Sequence, residues 1–140
     1  MATWHIKPCR RNEPLEWRIL VGRLKAATLE RVEQFADRVL DVVEALERKR
    51  VSTRILNQLI GCGTSPGANV WEADEAMSSK DFAKTLCIVV KELNEARYWL
   101  RLVGRRGWIT PKRLQPLEAE AIELKKMFGA MIHRTRKTAT

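Results

Sequence analysis

Arg97, Arg101 and Arg105 recur every four residues, a spacing that puts them in one stripe along a helix, and Arg106 extends it. Like charges so placed repel by roughly 0.2–0.5 kcal/mol per pair. Such a stripe is compensated by acids on a neighbouring helix, left as a solvated face, or neutralised by a polyanion. Just beyond it Trp108 stands among Arg105, Arg106, Lys112 and Arg113, an arrangement suited to stacking on an unpaired base within a cationic site. A loop aromatic also serves as an apolar plug over a bundle end, and for Trp108 the plug outweighs the stacker. A second basic cluster is His133-Arg134-Thr135-Arg136-Lys137, and Trp4 and Trp17 lie near Arg10, Arg11 and Arg18. The candidate nucleic-acid-binding residues are therefore Arg97, Arg101, Arg105, Arg106, Trp108, Lys112, Arg113, Arg134, Arg136 and Lys137.

Covalent and metal chemistry find less support. His5 and His133 lie far apart in the chain, and neither has Cys, Asp or Glu at metal-ligand spacing, so no metal, cofactor or catalytic residue is expected. The run Gly61-x-Gly63-x-x-x-Gly67 has the glycines of a phosphate-cradling loop. It lacks the following Lys-Ser/Thr and a preceding strand, and so fails both the Walker and the dinucleotide patterns. Small residues there fit the close approach of another helix backbone, with Pro66 kinking or interrupting its own helix near Cys62 to Ser65. Asn69 and Glu72, three apart just past that proline, could touch a partner or a nucleic acid. The structural alternative outweighs this: Asn69 satisfies backbone groups freed by Pro66, and Glu72 pairs with a basic neighbour. Cys9, Cys62 and Cys87 form no Cys-x-x-Cys pair, fit a reducing compartment, and in the case of Cys62 and Cys87 read as small buried hydrophobes.

Composition bounds the architecture that must position these residues. A chain of 140 residues with 45% apolar and 31% charged residues is one globular domain. It has no apolar run of about 18 residues and no apolar signal core near its start, so a cytoplasmic protein with no membrane partner is expected. The net charge of +9 is uneven: +4 over residues 1–27, −1 over 28–103 and +6 over 104–140. Clustered arginine and a pI near 9.9 favour a polyanionic partner.

Four helical patterns follow. Leu29, Val32, Ala36, Val39, Val43 and Leu46 keep a heptad-like seam, widened by Phe35, Leu40 and Val42 and closed by Arg48-Lys49-Arg50. Ser52 or Thr53 caps the second helix, which runs through Ile55, Leu56, Leu59 and Ile60 into the glycine run and resumes at Val70, Ala73 and Met77. Ser78 with Asp81 makes a capping box for the third, whose seam is Phe82, Leu86, Val89, Leu93, Ala96, Leu100 and Val103. Gly104 and Gly107 end it, Thr110-Pro111 opens the fourth, and Leu114, Leu117, Ala121, Leu124, Phe128 and Met131 form the last seam. Short connections between long amphipathic helices predict an all-α, antiparallel up-down-up-down four-helix bundle over residues 28–140, preceded by a basic N-terminal extension, residues 1–27. Within that extension Leu15 to Ala27 could form a short extra helix or prolong the first.

The run Gly63 to Ala73, with Ser79-Lys80-Asp81-Phe82 and Lys91-Glu92-x-x-Glu95-x-x-Tyr98-Trp99-Leu100, resembles the bacterial four-helix bundle protein family, roughly over residues 28–137. That family includes proteins encoded in intervening sequences of large-subunit ribosomal RNA genes, often labelled S23 ribosomal protein. It is similar, more distantly, to the accessory variability determinant of diversity-generating retroelements. The resemblance implies a non-enzymatic, ring-like homopentamer that in the retroelement relatives offers a basic surface to RNA or DNA and to a reverse transcriptase. It makes Asn69 and Glu72 the polar members of the motif, and Lys91, Glu92 and Arg101 helix-surface members. Three functions are therefore weighed: an oligomeric nucleic-acid binder, an accessory scaffold for a reverse transcriptase, and, weakest, an enzyme. RNA is preferred over duplex DNA because no helix-turn-helix recognition pattern is present.

Overall fold

The computed structural model describes residues 22–138; the extension over residues 1–21, with its tryptophans, His5 and Cys9, lies outside the described residues. Four helices follow one another: α1 (Ala26–Arg48), α2 (Thr53–Asp74), α3 (Ser79–Arg105) and α4 (Pro111–Thr138). Each packs on its neighbours in sequence, and α1 meets α4 to close a four-helix ring with no diagonal contact. Among the described residues there is no strand, and the architecture is an all-α antiparallel four-helix bundle.

The apolar seams decide which faces turn inward. All seven seam residues of α3, Phe82 through Val103, are buried, so this helix fills its stripe against both α2 and α4. On α1 Phe35 takes the core place expected for Ala36, which is half-buried beside it. On α4 the seam holds from Leu114 to Phe128 and then slips from Met131 to Ile132. A straight helix has 3.6 residues per turn, so a strict seven-residue stripe drifts by about 20° per heptad and moves one residue along.

Two helix ends are closed by the same device. Gly107, at φ 72, lets its own N–H reach Gly104 O at 3.1 Å and the Trp108 N–H reach Val103 O at 3.3 Å, a Schellman motif. The end of α1 repeats the pattern, with Arg50 N–H on Glu47 O at 2.9 Å and Val51 N–H on Leu46 O at 3.2 Å. There the left-handed position is filled by Arg50 at φ 58, which costs an L-residue about 1–2 kcal/mol relative to glycine. At the start of α3, Ser78 Oγ accepts the Asp81 N–H at 3.0 Å, the forward half of the expected capping box. Ser52 occupies the N-cap of α2 without a side-chain bond.

Pro66 does not interrupt its helix: α2 is continuous from Thr53 to Asp74. The missing donor costs one backbone bond, to the Cys62 carbonyl. Packing on both sides of the proline offsets that loss, since Leu56, Leu59, Cys62 and Gly63 before it and Gly67, Val70 and Ala73 after it are all buried, as is Pro66 itself. A second internal proline, Pro116, is accommodated in α4, which is likewise continuous.

Residues ahead of α1 belong to the bundle as well. Arg23 N–H donates to Asp74 O at 3.1 Å, Leu24 N–H to Asp74 Oδ1 at 2.6 Å and Arg23 Nε to Ala76 O at 3.0 Å, while Leu24 is buried. The chain therefore enters the bundle pinned to the α2–α3 connection.

Glycine sets how closely α1 and α2 approach. A Cβ on Gly63 would stand 2.7 Å from Val39 Cβ, inside contact distance, so the two helices meet at a depth that only glycine permits. Two residues earlier, Gly61 is exposed, and a methyl group there would meet nothing within 4 Å. These two glycines predict opposite outcomes in urea denaturation. Gly61→Ala raises stability by about 0.5–1 kcal/mol, the usual gain of alanine over glycine within a helix. Gly63→Ala lowers it by about 1–3 kcal/mol through overpacking, and shifts of the same sign for both would contradict the packing described.

Candidate nucleic-acid interface

No polar or charged residue is buried in the core among the described residues, so whatever recognition the bundle performs takes place at its surface. Gly63 and Gly67 of the glycine run face α1 as packing surface, whereas Gly61 is exposed. Asn69 Nδ2 donates to Ser65 O and Ser65 Oγ, each at 2.9 Å. It thus braces the helix one turn back. The carbonyl freed by Pro66 belongs to Cys62, so Asn69 does not satisfy it, contrary to expectation. Glu72 is exposed and makes no ion pair among the described residues, so the expected basic partner is absent there.

Along α3 the arginine stripe borders a shallow, open groove whose lining comes from this one helix. Asn94, Arg97, Tyr98, Arg101, Leu102 and Arg105 line a cavity of about 290 Å³. Arg101 and Arg105 continue into a second one, of about 520 Å³, shared with Gly104, Pro111, Lys112, Gln115 and Glu118 of the α3–α4 corner. From Asn94 to Arg105 the track runs about 16 Å at 1.5 Å per residue. Lys125 of α4 closes its far end, donating from Nζ to Asn94 Oδ1 at 2.7 Å.

The electrostatics of this groove are uncompensated. Ion pairs among the described residues are Arg31 with Glu120, at 2.6 Å, and Lys126 with Glu123, at 3.3 Å; neither involves the stripe. Acids on an adjacent helix therefore do not neutralise Arg97, Arg101 and Arg105, although Glu118 lies at the rim. Arg97 Nε is buried and has no hydrogen-bond partner among the described residues. A buried donor left unpaired costs about 1–3 kcal/mol, and this one lies beneath the surface of the stripe rather than open to it.

Other expected site residues are placed elsewhere. Trp108 is half-buried against the core, as a plug would be, with the Arg106 guanidinium 5.5 Å from its ring centroid. Arg113 is exposed and lines neither groove cavity. Arg134, Arg136 and Lys137 lie on the last turns of the 28-residue α4, at the opposite end of the bundle. There Arg136 and Thr135 share a cavity of about 660 Å³ with Ser79, Lys80, Ala83, Lys84 and Cys87, a grouping invisible to local periodicity because it joins the start of α3 to the end of α4.

The residue that sequence reasoning missed is Tyr98. It is 59% exposed on the groove between Arg97 and Arg101, whereas the sequence draws the eye to the tryptophans. Its place in the Tyr-Trp pair of the motif is the signal that could have found it.

The 23S rRNA-intervening sequence protein family matches residues 25–130. This chain belongs to that family. A crystal structure of a protein of unknown function from the S23 ribosomal protein family, from Bacteroides thetaiotaomicron, is 31% identical with a TM-score of 0.72. The alignment covers 75% of this chain and 97% of that one. No curated protein matches the chain. Membership of the 23S rRNA-intervening sequence family thus accounts for the bundle and leaves open what its surfaces do. No helix among the described residues is long and apolar enough to cross a membrane, and no three His, Cys, Asp or Glu side chains there are grouped to hold a metal ion.

The cysteines differ from each other. Cys62 is 2% exposed and its Sγ reaches Leu59 O at 3.6 Å. Burial, then the charges of Glu95 and Glu92, push its thiol up to about 12 from 9.0. Cys87, expected to be buried, is half-buried, with Arg136 Nη2 3.4 Å from its sulfur. Because the folded thiol of Cys62 holds its proton more tightly than the unfolded one, its contribution to stability is complete below pH 9.0 and is lost as pH climbs toward about 12. Iodoacetamide at about pH 8, below both values, should accordingly leave Cys62 unmodified in the native protein and alkylate it in urea, as peptide mass mapping would show; native alkylation of Cys62 would refute its burial.

Proposed function

We propose that this protein is a non-enzymatic, homo-oligomeric nucleic-acid-binding bundle that takes RNA along the Arg97–Arg101–Arg105–Lys112 groove. The observation that carries this reading is the arginine track on α3, which has no ion-pair partner among the described residues and lies open to solvent beside Tyr98. Phosphate oxygens suit guanidinium forks in both geometry and charge.

Self-association is supported by apolar side chains left on the outer faces of α2 and α3. Ile60, Trp71 and Ile88 are 37%, 52% and 41% exposed, more apolar surface than a helix facing only solvent needs to carry. A homopentameric ring, which the family resemblance implies, would cover such faces and repeat each basic groove around its rim. It would also bring together basic ends that one subunit keeps apart.

Two measurements test this reading. Light scattering coupled to gel filtration should give a mass near five times the 16.2 kDa chain, and a monomer would remove the repeated rim. Fluorescence anisotropy with labelled RNA should show affinity falling linearly with salt on logarithmic axes. Arg101→Gln with Arg105→Gln should then reduce the slope by about 0.7 for each phosphate no longer engaged. Affinity independent of salt would sink the electrostatic reading.

A further inference from the structure

The groove carries an aromatic ring where a purely electrostatic track for a duplex would need none. Tyr98 sits in the wall between Arg97 and Arg101, 59% exposed. Its contact with Trp99 is T-shaped, with centroids 5.2 Å apart and planes at 75°. An edge-to-face pair occupies at most one face of each ring, so at least one face of Tyr98 is not taken up by Trp99. Trp99 is itself half-buried and tethered, its Nε1 donating to Glu95 Oε1 at 3.3 Å, which steadies the tyrosine beside it.

We infer that the groove selects unpaired strands, with Tyr98 stacking on a base while Arg97, Arg101 and Arg105 hold the flanking phosphates. This rests on the nucleic-acid reading above and narrows its substrate. A base inside a duplex is stacked on both sides and cannot lie against the ring, whereas the phosphates of a duplex remain available to the arginines. Discrimination between single and double strands therefore comes from the aromatic ring, and general affinity from the guanidinium groups. Every base presents a π face, so the contact tolerates any sequence. Arg97 lines the same stretch of surface as Tyr98, so its guanidinium stands beside the base that the ring would stack.

The test compares the full chain and two variants on a fluorescein-labelled oligoadenylate and on a blunt RNA duplex of equal length. Tyr98→Ala should weaken oligoadenylate binding by about tenfold, the usual loss of one base–aromatic stack, and leave duplex binding unchanged. The unchanged duplex affinity also verifies that the variant is folded. Tyr98→Phe, which keeps the ring and removes only the hydroxyl, should stay close to the parent on both probes.

Equal losses on both probes, no loss on either, or a Tyr98→Phe defect as large as that of Tyr98→Ala would each overturn the stacking role. Those results leave the basic groove standing as a nucleic-acid site. If the parent chain binds neither probe at low salt, the nucleic-acid reading itself fails and this inference falls with it.

Discussion

The close approach of α1 and α2 at Gly63 is the contact on which the rest of the bundle depends. α3 is gripped on both sides, by α2 and by α4, but α1 meets α4 only slightly and is held to the molecule chiefly through α2. Val39, fully buried, seats against the bare backbone of Gly63, and Val32, Phe35, Val43 and Leu46 follow along the same seam. If α1 stood farther out, those side chains would leave voids whose linings have no atoms to pack against. The forked pair from Arg31 to Glu120 spans the α1–α4 side, and its hydrogen bond holds the guanidinium above its ordinary pKa. With the Arg31 side chain 41% exposed, that pair contributes at most about 1 kcal/mol and cannot replace the apolar seam.

A bundle sealed in this way leaves its polar chemistry outside, and α3 divides the work between its faces. The same helix that buries Phe82 through Val103 carries Arg97, Arg101 and Arg105 on another face. Because the seam is closely packed, the arginine stems start from backbone positions that the core fixes. The Schellman turn at Gly107 adds to this by folding Trp108 back onto the core and turning the chain into α4, which places Lys112 at the end of the track. Thus a left-handed glycine outside the groove fixes the shape of the basic surface.

Local pattern makes much of this legible. Seven residues of α3 repeat at steps of four and three, a period that belongs to a helix, so both the helix and its inward face can be read directly. Gly104-x-x-Gly107 likewise announces the helix end. Of the kink or interruption that Pro66 announces, the interruption does not occur, because the packing that offsets the proline's local cost, on both sides of it, is tertiary. For Asn69 the sequence indicates the right element and the wrong acceptor, since which carbonyl an amide reaches depends on its rotamer. The arginine stripe is legible as periodicity, but its lack of acidic partners is not, because that depends on which residues the neighbouring helices turn toward it. Tyr98 is hidden by company: beside five tryptophans, a single tyrosine draws little notice until its exposure is known.

The two basic ends of the bundle are chemically distinct, and that distinction bears on how each could act. The α3 groove is lined by arginines, whose guanidinium groups keep their charge at any physiological pH, hydrate weakly and lie flat against rings and oxygen pairs. The opposite end mixes the two types: Lys80 and Lys84, compact ammonium charges on flexible stems, stand with Arg136 around the half-buried Cys87, and Arg134 and Lys137 lie on the same last turns. Flexible, strongly hydrated lysines attract polyanions at a distance and orient them poorly, whereas a planar fork with a neighbouring ring holds one strand in one register. The excess charge of +9 is therefore divided between these surfaces and residues 1–27, which alone carry +4 of it.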